Sequence, residues 1–478
     1  MKNPEKTLAV TDGRHALAVN VIIALFFIAS VPAAFAIGTN EFDESWMYFL
    51  NFARKDEYVF GRNVFFTYGP LGFLTCVRSV KDSLLRGIAI WLVIYAAFAY
   101  LLLQVRSLLL RRNSSIISCA IAAVLFLLPQ RLSPDVLASF YVWLAVALLM
   151  DCDGKDKRRF SYALIADILL AMLFLWKMSS FTSSLAVCLL AILMLLFIRR
   201  EYGKALLLSL ALPLVPCAYL LYNPSPSDLL RYCRGAFEIS SGYNAVMGNV
   251  MTAESFSAFF VVFGIVAGIY LAVRLWTQGR KPFCMFLPLF LPLFFYYKYG
   301  ITRHGGYAFY QGVCMAFSIY FLFGLFDFII LPERNGGRGH LEQRSLLLGR
   351  LSLGYVMALC LLEFPSFLVS IPTNLKAATL GFPSELINNY LISIRNSGRR
   401  SLDPCFREMV GNESIAIFPD ELFYLTDGST KFRTMPIIQN YSAYTSWLDE
   451  KNAEFFRDEL AGSSAPGFVL FGLESIDM

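Results

Sequence analysis

The chain has 478 residues, of which 57% are hydrophobic and only 16% are charged, and its mean hydropathy is +0.57. A soluble protein of this length carries charge on about a quarter of its residues, so this composition excludes an ordinary soluble protein. The net charge of +6 does not indicate nucleic-acid binding, because the basic residues recur in alternate loops instead of forming one patch. The sequence predicts an integral membrane protein whose surroundings are the lipid bilayer, with no nucleic acid as partner.

The apolar residues form blocks, and a helix needs about 20 of them to cross the hydrocarbon core. The third, fourth and ninth blocks are short, so each of them could be broken or re-entrant. We predict about 11 transmembrane helices, at residues 16–37, 85–105, 114–129, 134–150, 160–177, 180–198, 204–222, 255–276, 281–297, 307–331 and 348–370.

The loops after the even-numbered spans carry most of the basic residues. Short loops rich in Lys and Arg stay in the cytoplasm, so the pattern predicts a cytoplasmic N-terminus and an external C-terminus. The first apolar run also resembles a signal peptide, but it is longer than the usual h-region, which favours an uncleaved helix over a cleaved leader. The loop residues that carry the pattern are Arg106, Arg111, Arg112, Lys155, Lys157, Arg158, Arg159, Arg199, Arg200, Lys204, Arg274, Arg280, Lys281, Arg334, Arg338, Arg344 and Arg350.

We divide the chain into a transmembrane domain at 1–370 and a polar C-terminal domain at 371–478. The transmembrane domain has two long external loops, 38–84 and 223–254. In the tail, Ser414–Phe418 and Gly467–Phe471 are predicted strands, and Ser446–Leu460 is a predicted amphipathic helix. The predicted fold is therefore an all-α polytopic membrane protein with a small extracytoplasmic α/β domain at its C-terminus.

Carboxylates follow the first predicted span and open the fourth. Asp43 and Glu44 lie just outside the first span, where partial solvation suits a general base. The alternative is that an external loop needs charge to stay in water. Asp135 stands at the start of the fourth span, where it caps the helix and interacts favourably with the helix dipole. Capping and catalysis are compatible roles.

Several cations fall in predicted external turns, where the topology rule disfavours them, and they are candidate partners for a phosphate. They are Lys177 between spans five and six, and Lys298, Arg303 and His304 between spans nine and ten. Lys177 could instead be a snorkelling lysine at the membrane surface. With only three histidines in the chain, no histidine-based metal site can be assembled.

Asp167 lies inside the fifth predicted span. A charge at that depth is costly unless it is paired or faces water. Asp167 could therefore line a cavity for a lipid carrier, or be neutral and hydrogen-bonded within the helix bundle.

The order of these features resembles a known family. An acidic residue follows the first span, the turn Tyr68-Gly69-Pro70-Leu71 precedes the second, and Arg131 and Asp135 open the fourth. The chain is similar in this to the GT-C superfamily of polytopic glycosyltransferases, which includes protein O-mannosyltransferases and aminoarabinose transferases. The resemblance extends to about residue 200, and Gly69 replaces the first proline of the family's Pro-Pro-Leu turn.

The resemblance implies transfer of a sugar from a polyprenyl-phosphate donor to a glycan, lipid or protein acceptor at the external face of a bacterial inner membrane. It places the catalytic carboxylates at Asp43 or Glu44 and at Asp135. It leaves open whether a divalent metal ion joins Asp43 and Asp135. The residues expected to bind substrate are Tyr68, Arg131, Lys177, Lys298, Arg303 and His304.

Two alternatives remain at this level. One is a transporter or flippase of lipid-linked sugars, which would place its polar groups near the bilayer midplane on broken helices. The other is a polysaccharide polymerase or ligase, for which Arg303 and His304 would be suitable residues.

Overall fold

The structure is a computed structural model. It describes residues 42–53, 57–77, 83–110, 133–246, 402–418, 430–457 and 465–471, and a few isolated positions elsewhere. The helices discussed below are α1 Phe42–Phe52, α2 Ser83–Leu110, α3 Pro134–Asp151, α4 Arg158–Trp176, α5 Met178–Leu193, α6 Tyr202–Ser209, α7 Ala211–Tyr222, α8 Pro226–Val246, α9 Pro404–Val410 and α10 Ser446–Phe456.

Five helical segments in this part of the chain are long and apolar enough to cross a membrane, which confirms a multi-pass membrane protein. They are Ser83–Val105, Pro134–Asp151, Arg158–Trp176, Met178–Arg199 and Tyr202–Tyr222. Each agrees with a predicted span to within a few residues. The other six predicted spans lie wholly or largely outside the described residues, so the predicted total of about 11 stays a prediction.

Helix α3 is the centre of the described bundle. Of its 18 residues, 83% are buried, against 28% in the most apolar stretch of the span Tyr202–Tyr222. The sequence of α3 is apolar on every side, and a helix of that kind is buried on every side. It packs against both α4 and α5.

One end of the bundle is covered by α1 and residues 57–77, and we call it the capped end. Tyr219 and Tyr222, in the last turns of α7, donate hydrogen bonds to the carbonyls of Phe60 and Tyr58. The indole of Trp176, at the end of α4, donates to the Thr75 hydroxyl over 2.8 Å. These bonds hold residues 57–77, which we call the covering segment, against the ends of the spans.

The described part of the C-terminal tail contains a three-stranded parallel sheet. Its strands are β1 Ser414–Phe418, β2 Lys431–Thr434 and β3 Phe468–Phe471, in the order β2-β1-β3. The predicted strand at 414–418 is confirmed, and β3 and α10 fall within the predicted strand at 467–471 and the predicted helix at 446–460. Strand β2 and helix α9 were not predicted.

The tail lies on the capped end. Phe65 donates its backbone N–H to the carbonyl of Pro436 over 2.7 Å, and its ring contacts Trp447 edge-on at 5.2 Å. The N–H of Leu422 donates to the hydroxyl of Ser45 in α1 over 2.9 Å. The covering segment is therefore enclosed between the membrane spans and the tail.

Candidate functional site at the capped end

The covering segment is joined to the turn between α4 and α5 by backbone hydrogen bonds. Gly69 donates to Trp176 over 3.0 Å, Leu71 donates to Leu175 over 2.8 Å, and Met178 donates to Thr67 over 3.0 Å. Lys177 itself is extended, and it forms an antiparallel bridge with Tyr68. This short ladder fixes the position of Tyr68 relative to Lys177.

Gly69 allows the two segments to approach this closely. A Cβ atom at this position would lie 2.3 Å from the hydroxyl oxygen of Tyr232 and 2.6 Å from the carbonyl oxygen of Leu175. Those distances are shorter than any real carbon contact. A proline, or any residue with a Cβ atom, would therefore not fit at this position.

The ammonium group of Lys177 has two partners in the site. Its Nζ lies 3.4 Å from Oδ2 of Asp135 and 4.7 Å from the centre of the Tyr68 ring. The Lys177 side chain remains 20% exposed, whereas that of Asp135 is completely buried. The ion pair therefore presents its positive partner to the surface.

Asp135 is the second residue of α3, at the helix N-terminus, as predicted, but the predicted capping role is wrong: the N-cap residue is Ser133, and no side chain forms a cap hydrogen bond there. Its Oδ2 accepts a hydrogen bond from the Ser180 hydroxyl over 2.6 Å. A buried carboxylate needs both charge compensation and hydrogen bonds. Ser180 and Lys177, in and next to the first turn of α5, supply them to Oδ2, whereas the buried Oδ1 accepts no hydrogen bond from the described residues.

The Tyr68 ring contacts both Trp46 and Lys177. The ring lies 5.0 Å from that of Trp46, with an angle of 24° between the planes, and Lys177 contacts it as a cation. Burial raises the pKa of Tyr68 to about 12, although the charge of Lys177 acts in the opposite direction. The phenol is therefore protonated at neutral pH and can donate a hydrogen bond.

Of the predicted site residues, the structure brings together Tyr68, Asp135 and Lys177. The backbone of Asp43 and Glu44 forms the first turn of α1, directly before Trp46, and their side chains are outside the described part. Arg131, Lys298, Arg303 and His304 also lie outside the described residues. Their predicted roles stay predictions.

Two members of the cluster, Trp46 and Ser180, were not among the predicted site residues, although Ser180 belongs to the turn whose Lys177 was predicted as a phosphate partner. Ser180 follows Lys177 by three residues, and that spacing within a helical turn could have indicated a shared partner. Trp46 could not have been found in this way, because only the fold brings α1 against residues 66–68.

A second polar cluster lies at the same end of the bundle. The buried carboxylate of Asp228 in α8 accepts hydrogen bonds from Arg62 and Asn223, both over 2.9 Å, and from Arg231 over 2.8 Å. Burial alone would raise the pKa of Asp228. The hydrogen bonds from Asn223, Arg62 and Ser225 outweigh burial and lower it below its ordinary value.

Among the described residues, the contacts of Asp135 are those of a carboxylate paired with a cationic side chain, and the side chain of Asp43, the other predicted metal ligand, lies outside them. A divalent cation of the magnesium or calcium type needs several oxygen ligands. The contacts of Asp135 above are instead a lysine ammonium and a serine hydroxyl. Within the described residues, no group of three or more His, Cys, Asp and Glu side chains could hold a metal ion.

Comparison with known proteins gives no match: no family model, no curated protein and no solved structure matches this chain.

Proposed function

We propose that the chain is a membrane glycosyltransferase of the GT-C type, which transfers a sugar from a polyprenyl-phosphate donor to a glycan, lipid or protein acceptor at the capped end. The observation that carries the proposal is the Lys177 ammonium. It is partly exposed beside the ends of the spans and is held 3.4 Å from buried Asp135 and 4.7 Å from the Tyr68 ring. A lipid phosphate at the membrane surface would meet an oriented positive charge there.

Asp135 has the role of a positioning residue in this proposal. Its carboxylate is completely buried and already interacts with Lys177 and Ser180, so it is not accessible to an acceptor in this arrangement. The base is then Asp43 or Glu44, at the start of the helix that carries Trp46. Lys177 holds the donor phosphate, and we expect Arg303 and His304 to assist it.

The reaction needs one proton transfer and no external reagent. The acceptor oxygen or nitrogen attacks the anomeric carbon of the donor, and the bond from that carbon to the phosphate oxygen breaks. The carboxylate of Asp43 or Glu44 takes the acceptor proton. Polyprenyl phosphate leaves with the bonding electrons, and the positive charge of Lys177 stabilises the negative charge that develops on it.

The test is a transfer assay with the purified full chain in proteoliposomes. A panel of radiolabelled polyprenyl-phosphate hexoses and pentoses is supplied, and sugar release from the lipid is measured. We expect turnover with at least one donor. Removing the base in Asp43→Asn or Glu44→Gln should lower the rate by about 10²- to 10⁴-fold, because general base catalysis contributes that much.

Lys177→Arg is the matched variant for the phosphate contact. It keeps the charge and should retain part of the activity, whereas Lys177→Gln should lose most of it. Thr182→Ala, on the exposed side of α5, is the control and should behave as the unmodified protein. Failure of the whole donor panel, or full activity of Lys177→Gln, would contradict the proposal.

A second candidate function, transport of a lipid-linked sugar, is favoured by Asp167. This carboxyl lies in the middle of α4, is buried within the bundle, and its Oδ1 accepts no hydrogen bond from the described residues. Ionisable groups inside membrane spans often mark a transport path. Movement of a fluorescent lipid-linked sugar between leaflets, abolished by Asp167→Ala and without sugar release, would identify this function instead.

A further inference from the structure

Helix α8 begins close to the membrane surface because of its connection to the spans. Only three residues separate the end of the apolar span Tyr202–Tyr222 from Pro226, the first residue of α8. The hydroxyl of Tyr232 donates to the carbonyl of Phe174 over 2.8 Å, which holds the second turn of α8 against the end of α4. The first half of α8 therefore lies where the spans leave the hydrocarbon.

Two arginines converge on one carboxylate at this level. Arg62 and Arg231 each contact Asp228 at 2.8 Å, and the Asp228 side chain is only 1% exposed. The arginine side chains remain 37% and 40% exposed. With two positive charges and one negative charge, the group has a net charge of +1 that faces outward.

The carboxylate restricts the arginines before any ligand arrives. An arginine fixed by one hydrogen-bonded partner loses less side-chain entropy on binding another group. The planar guanidinium matches the oxygen geometry of a phosphate, and charge-assisted bonds of this kind are the strongest hydrogen bonds of proteins. Arg62 and Arg231 are therefore oriented for an anion with several oxygen atoms.

Large apolar side chains are exposed on α7 and α8, the helices next to the arginine cluster. Leu221, in the last turn of α7, is 85% exposed, and Leu230 and Phe237 in α8 are 71% and 70% exposed. The seven-residue interval between Leu230 and Phe237 puts both on one side of the helix. Arg234 lies between them, where it pairs with Glu238 and its guanidinium lies 4.6 Å from the centre of the Trp447 ring of the tail. An amphipathic helix with exposed leucine, phenylalanine and arginine is typical of segments that lie in the membrane interface.

We propose that Arg62 and Arg231 bind the headgroup phosphate of an anionic phospholipid in the leaflet at the capped end, with Leu221 and Leu230 in contact with its acyl chains. A phospholipid offers a phosphate and apolar chains, and the protein offers exposed arginines and exposed leucines on neighbouring parts of α7, α8 and the covering segment. The site does not depend on the proposed transferase activity. It anchors α8, and through α8 the tail, to the bilayer.

The test is lipid retention by the purified full chain, measured by native mass spectrometry after reconstitution in mixed phosphatidylcholine and phosphatidylglycerol. We expect one phosphatidylglycerol molecule to be retained preferentially. Arg62→Gln and Arg231→Gln should each weaken its retention about tenfold, for the loss of one charge-assisted bond, and the double variant should lose the preference. Arg457→Gln removes an exposed, paired arginine of the tail and should change nothing.

Inorganic phosphate distinguishes a lipid from a free anion as the ligand. A lipid site should keep phosphatidylglycerol in the presence of millimolar phosphate, because the acyl contacts are not available to the free ion. Displacement by phosphate, or equal retention by the double variant and the unmodified protein, would overturn the proposal.

A second measurement leaves the arginine cluster intact. The photocrosslinking residue benzoylphenylalanine replaces Leu230 in one variant and Phe456 in another, and both positions are exposed. Each variant is irradiated in the same bilayers. Position 230 should give a mass increase equal to one phospholipid, and position 456, in the tail helix α10, should not. Absence of a lipid adduct at position 230 in the folded protein would also overturn the proposal.

Discussion

At the scale of single residues, the pair of Lys177 and Asp135 has an uneven environment. The carboxylate is completely buried, and the lysine is 20% exposed. Removing two charges from water costs about as much as their attraction returns, so such a pair contributes little net stability. Its consequence is orientation: the carboxylate keeps the ammonium beside the Tyr68 ring at the capped end.

The pair predicts an asymmetric response to mutation. Lys177→Met leaves the Asp135 carboxylate buried without a cation, and breaking a buried pair in this way costs about 3–5 kcal/mol. Asp135→Asn in the same chain removes the unpaired charge and should restore most of the lost stability. The measurement is the thermal unfolding temperature of the purified protein in detergent.

Thr182→Met is the control for this experiment, because it places the same side chain at an exposed position of α5. It should leave the unfolding temperature unchanged. If the double variant were less stable than Lys177→Met alone, Asp135 would have to be stabilised by groups other than Lys177.

At the scale of elements, the residues of the site are brought together by the short backbone ladder between residues 67–71 and 175–178. The sequence predicted both segments as turns, but not that they pair. A turn of this kind contains too few residues for a hydrophobic period, so its partner cannot be read from the local pattern. The fit depends on Gly69, which meets Leu175 and Tyr232 without a side chain.

Gly69→Ala should therefore separate the covering segment from α4. The added methyl group must displace backbone as well as side-chain atoms, and overpacking of this kind costs about 1–3 kcal/mol. We expect a lower unfolding temperature and faster proteolysis within residues 57–77. Gly154→Ala, where a Cβ atom meets nothing within 4 Å, is the matched control and should be neutral. Identical proteolysis of the two variants would show that the ladder does not depend on close approach.

At the scale of the whole molecule, the tail shares buried surface with the covering segment and with α8. Ile437, Leu448 and Phe65 are buried in one cluster with Ile239 of α8. This cluster joins the covering segment, α8 and the tail. A tail that was independent of the bundle would not need buried apolar contacts with it, so we expect the two parts to unfold together.

Ile437→Ala tests that coupling. The substitution deletes a completely buried side chain, which costs about 2–5 kcal/mol. Unfolding of the tail is monitored by its protease sensitivity, and unfolding of the spans is monitored by the helical content that they retain in detergent. We expect both transitions to shift down together. Val469→Ala, at an exposed position of β3, should shift neither, and a shift of the tail transition alone would contradict the coupling.

The sequence by itself determined the class of the protein, because apolar blocks of membrane-spanning length need no tertiary information to be recognised. It placed the five described spans to within a few residues, and also the strand Ser414–Phe418, whose apolar run is long enough to detect. Strand β2 escaped prediction because it has only four residues, two of them basic.

Only the tertiary structure decided which polar residues meet. Asp135 and Lys177 are 42 residues apart, and Arg62 and Asp228 are 166 apart, so no local period connects them. Sequence reasoning selected Tyr68, Asp135 and Lys177 individually, whereas their contacts follow from the packing of α3 against α5 and from the ladder at Gly69. Span positions follow from composition along the chain, but the site follows from contacts between distant segments, which packing alone specifies.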